Sequence, residues 1–161
     1  MMCSNLNMPL MKALVMALVM ACALPTQAQD ESRFVRSVAL PSGQTVVVAE
    51  GDLEARSIGS FSVRLYEAAA PADATTFFVD GLICARDGTL EQVILADVQG
   101  DTQPEILVLT RSAGSGSYQA AYAFAIVLTD DRPQLKLVGQ LEGMPATEDA
   151  VQALRQSLTV Q

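Results

Sequence analysis

Residues 104–128 decide the fold, and they read PEILVLTR, then SAGSGSY, then QAAYAFAIVL. The first and third segments are rich in β-branched, aromatic and other apolar residues, which favours strands. The middle segment has only small or polar side chains before its final tyrosine, and glycine and serine are typical of turns. The pattern predicts a β-hairpin whose loop spans residues 112–118, called the 112–118 loop below. Such a loop extends at most about 10 Å beyond its sheet.

The 112–118 loop carries hydroxyl groups as its main polar groups. They belong to Ser112, Ser115, Ser117 and Tyr118, and Arg111 stands at the base of the loop. A hydroxyl both donates and accepts, so a Ser/Tyr pair can match a partner with one protonated and one ionised carboxyl group. Tyrosine adds a large, rigid contact area. The alternative is an ordinary solvated hairpin tip, which the composition of the loop does not exclude.

Apolar runs separated by turn signals continue along most of the chain. We predict further strands at residues 34–40, 45–49, 61–66, 76–79, 82–86, 90–96 and 134–138. The turns between them are predicted at residues 41–44, at Asp80-Gly81 and at Asp87-Gly88. No helical pattern alternates with these strands, so the predicted fold class is all-β. We expect an antiparallel β-sandwich of about eight strands.

One short helix is predicted near the C-terminus. Val151, Leu154 and Leu158 share one helical face, and Thr147 is a suitable N-cap for a helix over residues 148–158. A second helical tendency, over residues 68–75, is interrupted by Pro71 and allows at most one turn.

The first 28 residues have the features of a signal peptide. Lys12 precedes an apolar run over residues 13–24, which is too short to span a bilayer, and Ala28 ends a plausible cleavage site. We therefore expect a signal peptide at 1–28, one domain at 29–161, a periplasmic location and no membrane segment after cleavage. The alternative is lipidation of Cys22, although Met20 is unusual in a lipid-attachment sequence.

Three apolar positions bear on packing and association. Cleavage leaves Cys84 as the single cysteine, so we expect no internal disulfide and interpret Cys84 as a small buried hydrophobe. Phe77 and Phe78 would point to opposite faces of a strand. We expect one of them in the core and the other available to a dimer interface.

Composition excludes several classes of function. The chain has 10 Lys and Arg against 18 Asp and Glu, a net charge of −8, and removal of Lys12 makes the remainder one unit more negative. Such a chain lacks the basic patch that nucleic-acid binding needs, whereas it suits a basic protein partner. It contains no histidine, the commonest catalytic base, and Lys136 is far in sequence from Ser115. We expect no enzyme activity, no cofactor and no nucleic-acid partner.

A rival site lies just before the hairpin. Asp97, Asp101 and Glu105 are spaced as in a degenerate calcium loop, but Gln99 stands where a charged ligand is expected. This leaves too few oxygen donors for a full calcium shell. We expect no metal site, and the alternative function is a periplasmic binding or adhesion module that uses this loop.

The segment Ser115-Gly116-Ser117-Tyr118 matches the Ser-Gly-x-Tyr motif of bacterial periplasmic lysozyme inhibitors. The wider stretch from Val46 through Tyr118 resembles the inhibitors of invertebrate-type (I-type) lysozyme in particular. The resemblance implies a protein that occludes the active-site cleft of I-type lysozyme with its 112–118 loop.

The same resemblance implies roles for single residues. Ser115 and Tyr118 would hydrogen-bond the catalytic carboxyl groups of the lysozyme, and Gly114 and Gly116 would let the tip bend. It also implies a homodimer, for which the sequence itself offers only the Phe77-Phe78 pair.

Overall fold

The computed structural model describes residues 33–159, so the predicted signal peptide and Cys22 lie outside it. Eight strands form two four-stranded antiparallel sheets in which each strand pairs with its neighbours in sequence. The first sheet contains β1 (Val35–Ala39), β2 (Thr45–Glu50), β3 (Ile58–Tyr66) and β4 (Phe78–Asp87). The second contains β5 (Thr89–Ala96), β6 (Glu105–Arg111), β7 (Gln119–Thr129) and β8 (Arg132–Met144). A 3₁₀ turn (Pro71–Asp73) precedes β4, and α1 (Ala150–Thr159) follows β8. The predicted β-sandwich with a C-terminal helix is confirmed.

The main core lies between the two sheets and follows from the alternation along the strands. In β3, Phe61, Val63 and Leu65 are fully buried, whereas the residues between them face away from the core. The ring of Phe61 packs edge-on against Tyr122 and Phe124 of the second sheet, with centroid distances of 5.1 and 6.2 Å. Burial of each such side chain contributes about 1.5–3 kcal/mol.

A second core lies on the outer face of the second sheet, beneath α1. Leu107, Ala121 and Ala123 of the sheet pack against Leu154 of the helix. The helix begins later than the sequence suggested, because Asp149 and not Thr147 is its N-cap. The Asp149 Oδ1 atom accepts hydrogen bonds from the Val151 and Gln152 amides at 2.9 and 3.2 Å. Both residues are good caps, but only Asp149 directly precedes the segment that the sheet can bury.

The predicted turn at Asp80-Gly81 is wrong, because β4 runs without interruption from Phe78 to Asp87. Gly81 pairs with Arg64 as an ordinary strand residue. The Asp80 side chain accepts a hydrogen bond from the Leu135 amide of β8 at 2.7 Å. A turn dipeptide is overridden here because the neighbouring strand β3 is long enough to pair along the whole segment.

Gly88 forms the corner at which the chain passes from the first sheet to the second. Its φ is +77°, in the left-handed region that favours glycine. A Cβ atom at this position would collide with the carbonyl oxygen of Arg111. Gly88 is therefore required both for the bend and for the close approach of β6.

The prediction that one of Phe77 and Phe78 lies in the core is wrong, since they are 55% and 60% exposed. Phe77 precedes β4, and Phe78 sits at an irregularity in the β3–β4 pairing, where its ring packs edge-on against Tyr66 at 6.0 Å.

Cys84 is partly buried against the main core, and this burial raises the pKa of its thiol. Within residues 33–159, no helix has the length and apolar character needed to cross a membrane.

Candidate functional site

The 112–118 loop joins β6 to β7 and is exposed over residues 113–118. Its base is closed by a hydrogen bond from the Ser112 amide to the Tyr118 carbonyl oxygen at 2.8 Å. A tighter turn inside it is closed by the Ser117 amide, which donates to the Gly114 carbonyl oxygen at 3.1 Å. The loop thus has a defined shape of its own, held by backbone hydrogen bonds.

The tip of the loop bends at Ser117, whose φ is +46°. The resemblance implies that Gly114 and Gly116 let the tip bend. Neither has a positive φ, and Gly116 lies with Ser115 at the centre of the turn that the Ser117 amide closes. Gly116 also leaves room for the ring of Tyr118, because a Cβ atom there would collide with the ring as it is placed and the ring would have to move. The ring therefore lies folded against the backbone of Gly116, in the space that the missing side chain leaves.

Arg111 braces the base of the loop. Its guanidinium group donates to both carboxylate oxygens of Glu91 on β5, at 2.5 and 2.7 Å, and to the Ser117 carbonyl oxygen at 3.0 Å. The hydrogen bond to Glu91 raises the pKa of Arg111. Because its donors are directed at the protein itself, Arg111 holds the loop in position.

A second brace joins the loop to the end of β4. The Ser112 hydroxyl donates to the Asp87 carboxylate at 2.9 Å and accepts from the Gly114 amide at 3.2 Å. The local sequence predicts a turn at Asp87 and a strand at Glu91, and it gives no sign of either contact with the loop. Their roles depend on pairings 25 and 20 residues away in sequence, which no local pattern signals.

Ser115 and Tyr118 differ from these bracing residues. Both are exposed, with 52% of Tyr118 accessible to solvent. Neither side chain makes a hydrogen bond to any residue in the 33–159 range. The structure therefore presents two hydroxyl groups for a partner on a loop that other residues hold in place.

The support beneath the loop includes a buried arginine. Arg86 is 2% exposed, and its guanidinium group donates to the carbonyl oxygens of Ala55, Arg56 and Ser60 at 3.1, 2.9 and 3.0 Å. It also donates to the carbonyl oxygen of Gly88, at the corner between the sheets. Arg86 thereby ties the segment before β3 to the corner on which the loop rests.

The carboxylates of the rival 97–105 site accept hydrogen bonds from the protein itself, mainly from backbone amides. Asp97 accepts from the Gly100 and Thr102 amides at 2.6 and 3.0 Å, and these bonds, chiefly the first, lower its pKa. Asp101 accepts from the Gln103 amide at 2.9 Å, and the buried Glu105 from the Val98 amide at 2.8 Å. These bonds shape a polar turn. In the part of the chain that the structure describes, no three His, Cys, Asp or Glu side chains come together as a metal site requires.

The chain is thus a small β-sandwich protein that presents an exposed loop with free hydroxyl groups. Comparison with protein families gives a match to "Periplasmic lysozyme inhibitor of I-type lysozyme" over residues 32–158. The chain belongs to this family and is an inhibitor protein, not an enzyme. A comparison with curated protein sequences found no match.

Two solved structures are similar to the chain. The periplasmic lysozyme inhibitor of I-type lysozyme from Aeromonas hydrophila is 44% identical, with a TM-score of 0.68, and the match covers 75% of this chain and 98% of that one. The Aeromonas hydrophila inhibitor in complex with Meretrix lusoria lysozyme is 43% identical, with a TM-score of 0.67, covering 76% and 95%. The resemblance noted in the sequence is therefore confirmed at the level of the family.

Proposed function

We propose that this protein inhibits I-type lysozyme by inserting its 112–118 loop into the active-site cleft of the enzyme. Family membership supports the class of target. The observation that carries the mechanism is the pair of exposed hydroxyls of Ser115 and Tyr118 on a braced loop. In the complex they hydrogen-bond the catalytic carboxyl groups of the lysozyme and exclude its substrate.

The chemistry of a glycosidase cleft suits this pair. Such clefts present two carboxyl groups, one protonated and one ionised, and a hydroxyl can donate to the second and accept from the first. The braces through Arg111 and Ser112 fix the loop before binding. Less conformational entropy is then lost in the complex, which favours affinity.

The net charge supports the same assignment. At −8 for the whole chain, the inhibitor attracts a basic partner over distances of about a Debye length. This attraction raises the association rate more than it lowers the dissociation rate.

A titration of residues 29–161 against I-type, chicken-type and goose-type lysozymes in a cell-wall lysis assay tests the proposal. We expect inhibition of the I-type enzyme at concentrations that leave the other two active. If none of the three enzymes is inhibited by the folded protein, the proposed function is wrong.

Replacement of Gly116 by alanine tests the steric role of this glycine. The new methyl group would displace the Tyr118 ring from its position, so we expect binding to I-type lysozyme to weaken about tenfold, which is about 1.4 kcal/mol and less than the loss of the whole ring. Gly114→Ala is the matched control, because a Cβ there meets only the Ser112 hydroxyl oxygen at an ordinary 3.5 Å. Equal affinities for the two variants, measured by calorimetry, would show that the position of the ring is unimportant.

Export and association complete the proposal. The mature protein begins at Gln29 and resides in the periplasm, which the mass of the exported protein tests.

The protein forms a homodimer through the outer face of the first sheet, where Val35, Phe78 and Ile83 are exposed on the side away from the core. Analytical ultracentrifugation that shows a monomer at all concentrations would contradict the proposed dimer.

A further inference from the structure

A cleft opens directly beside the 112–118 loop, between the end of β4 and strands β7 and β8. Its volume is about 440 Å³, and Tyr118 and Ser112 line the side next to the loop. Any partner that contacts the exposed Tyr118 ring therefore lies over or beside the mouth of this cleft. The proposed mechanism uses the loop alone and gives the cleft no role.

The walls of the cleft are largely apolar and its rim is acidic. The walls include Ile58, Ala85, Ala120 and the ring of Tyr122, whereas Asp87 and Glu142 stand at the rim. Both carboxylates are exposed. Asp87 uses one oxygen for the Ser112 hydroxyl, and Glu142 uses one for the Gln140 amide group at 2.7 Å. Apolar walls with carboxylates at the rim suit a long side chain that ends in a positive charge.

The charges around the cleft also favour a side chain that ends in a positive charge. The pKa of Tyr122 is raised, first by burial and then by the negative charges of Glu142 and Asp87, together with Cys84. The one cation of the lining, Arg86, directs its donors at backbone carbonyl oxygens. Its charge also acts on Glu54, whose pKa is lowered mainly by hydrogen bonds from Ser60 and further by Arg86. The lining therefore carries two carboxylates against one buried guanidinium group, and both carboxylates stand at the exposed rim, where a side chain of the partner would enter.

We propose that this cleft receives a lysine or arginine side chain of the bound lysozyme, with its stem against Tyr122 and its charge between Asp87 and Glu142. This inference rests on the proposed function, because it places the guest next to the inserted loop. The cleft would then form a second anchor, and the two together would fix the orientation of the enzyme.

Glu142 is the residue to change, since Asp87 also braces the loop through Ser112. We expect Glu142→Gln to speed dissociation from I-type lysozyme about tenfold, because the guest cation loses a charged partner in a site that the complex shields from water. Glu142→Lys should speed it further by direct repulsion. Glu67→Gln is the control: it is an exposed glutamate that follows β3 at the end remote from the loop, and it removes the same charge.

Surface plasmon resonance separates the possible results. If charge acts only at long range, Glu142→Gln and Glu67→Gln should both slow association slightly and leave dissociation unchanged. That result would contradict the proposal that the cleft binds a cationic side chain. If Tyr118→Ala weakens binding but both Glu142 variants dissociate like the wild type, the proposed role of the cleft is wrong and the loop mechanism is supported. If the Glu142 variants dissociate faster while Tyr118→Ala binds normally, the proposed role of the cleft is supported and the loop mechanism is wrong. A folded wild-type protein that does not bind I-type lysozyme contradicts both.

Discussion

Tyr118→Ala is expected to weaken binding to I-type lysozyme by about 2 kcal/mol or more, the range of interface hot spots. The exposed ring would be buried in the enzyme cleft, and its truncation would remove both contact area and a hydroxyl. Ser115→Ala should weaken binding by about 1–3 kcal/mol, because an ionised carboxylate would be left buried without its partner. Inhibition constants and calorimetry measure both effects.

Folding stability provides the internal control for this result. Neither side chain makes a hydrogen bond to the described part of the chain, so the melting temperatures of both variants should match the wild type. Phe77→Ala is a matched control for the loss of an aromatic ring, since Phe77 is 55% exposed against 52% for Tyr118 and lies before β4, away from the loop. Affinities within about 0.5 kcal/mol of the wild type in folded Tyr118 and Ser115 variants would rule out the insertion mechanism.

Arg86→Met is expected to lower the free energy of unfolding by about 3 kcal/mol, because each buried polar group left without a partner costs about 1–3 kcal/mol and removal of the buried charge offsets part of the sum. Methionine fills much of the same volume but donates no hydrogen bond. The carbonyl groups of Ala55, Ser60 and Gly88 would lose their donor in a region that water reaches poorly. Urea unfolding followed by circular dichroism measures the change.

Arg132→Met serves as the comparison, because Arg132 is exposed at the start of β8. This variant should unfold within about 0.5 kcal/mol of the wild type. If Arg86→Met shows the same small change, the buried guanidinium group does not stabilise the corner.

The sequence predicted features that depend on local patterns. The hairpin around the 112–118 loop, the alternating strands and the position of the helix all follow from residues close together in the chain. The motif residues from Ser115 to Tyr118 lie together in the structure because they are contiguous. The role of each in binding lysozyme remains a prediction.

Features that depend on distant pairings could not be predicted. Glu91 faces Arg111 because β5 and β6 are neighbours in the sheet. Arg86 reaches Ala55 because β4 pairs with β3 and so lies beside the segment that leads into β3. The same reason explains the error at Asp80, whose partner on β8 is 55 residues away. The predicted N-cap at Thr147 is wrong for a related reason, since a capping residue alone does not show where the sheet begins to bury the helix.

Within each sheet the strands pair in their order along the chain, and this has a consequence for folding kinetics. Each four-strand meander is built from local contacts, which gives the chain a lower contact order than sandwiches with crossed connections. We expect each half to assemble without waiting for the other, and the two halves to dock when the Gly88 corner closes. Substitutions at that corner would then slow the final docking step while leaving hairpin formation within each half unaffected.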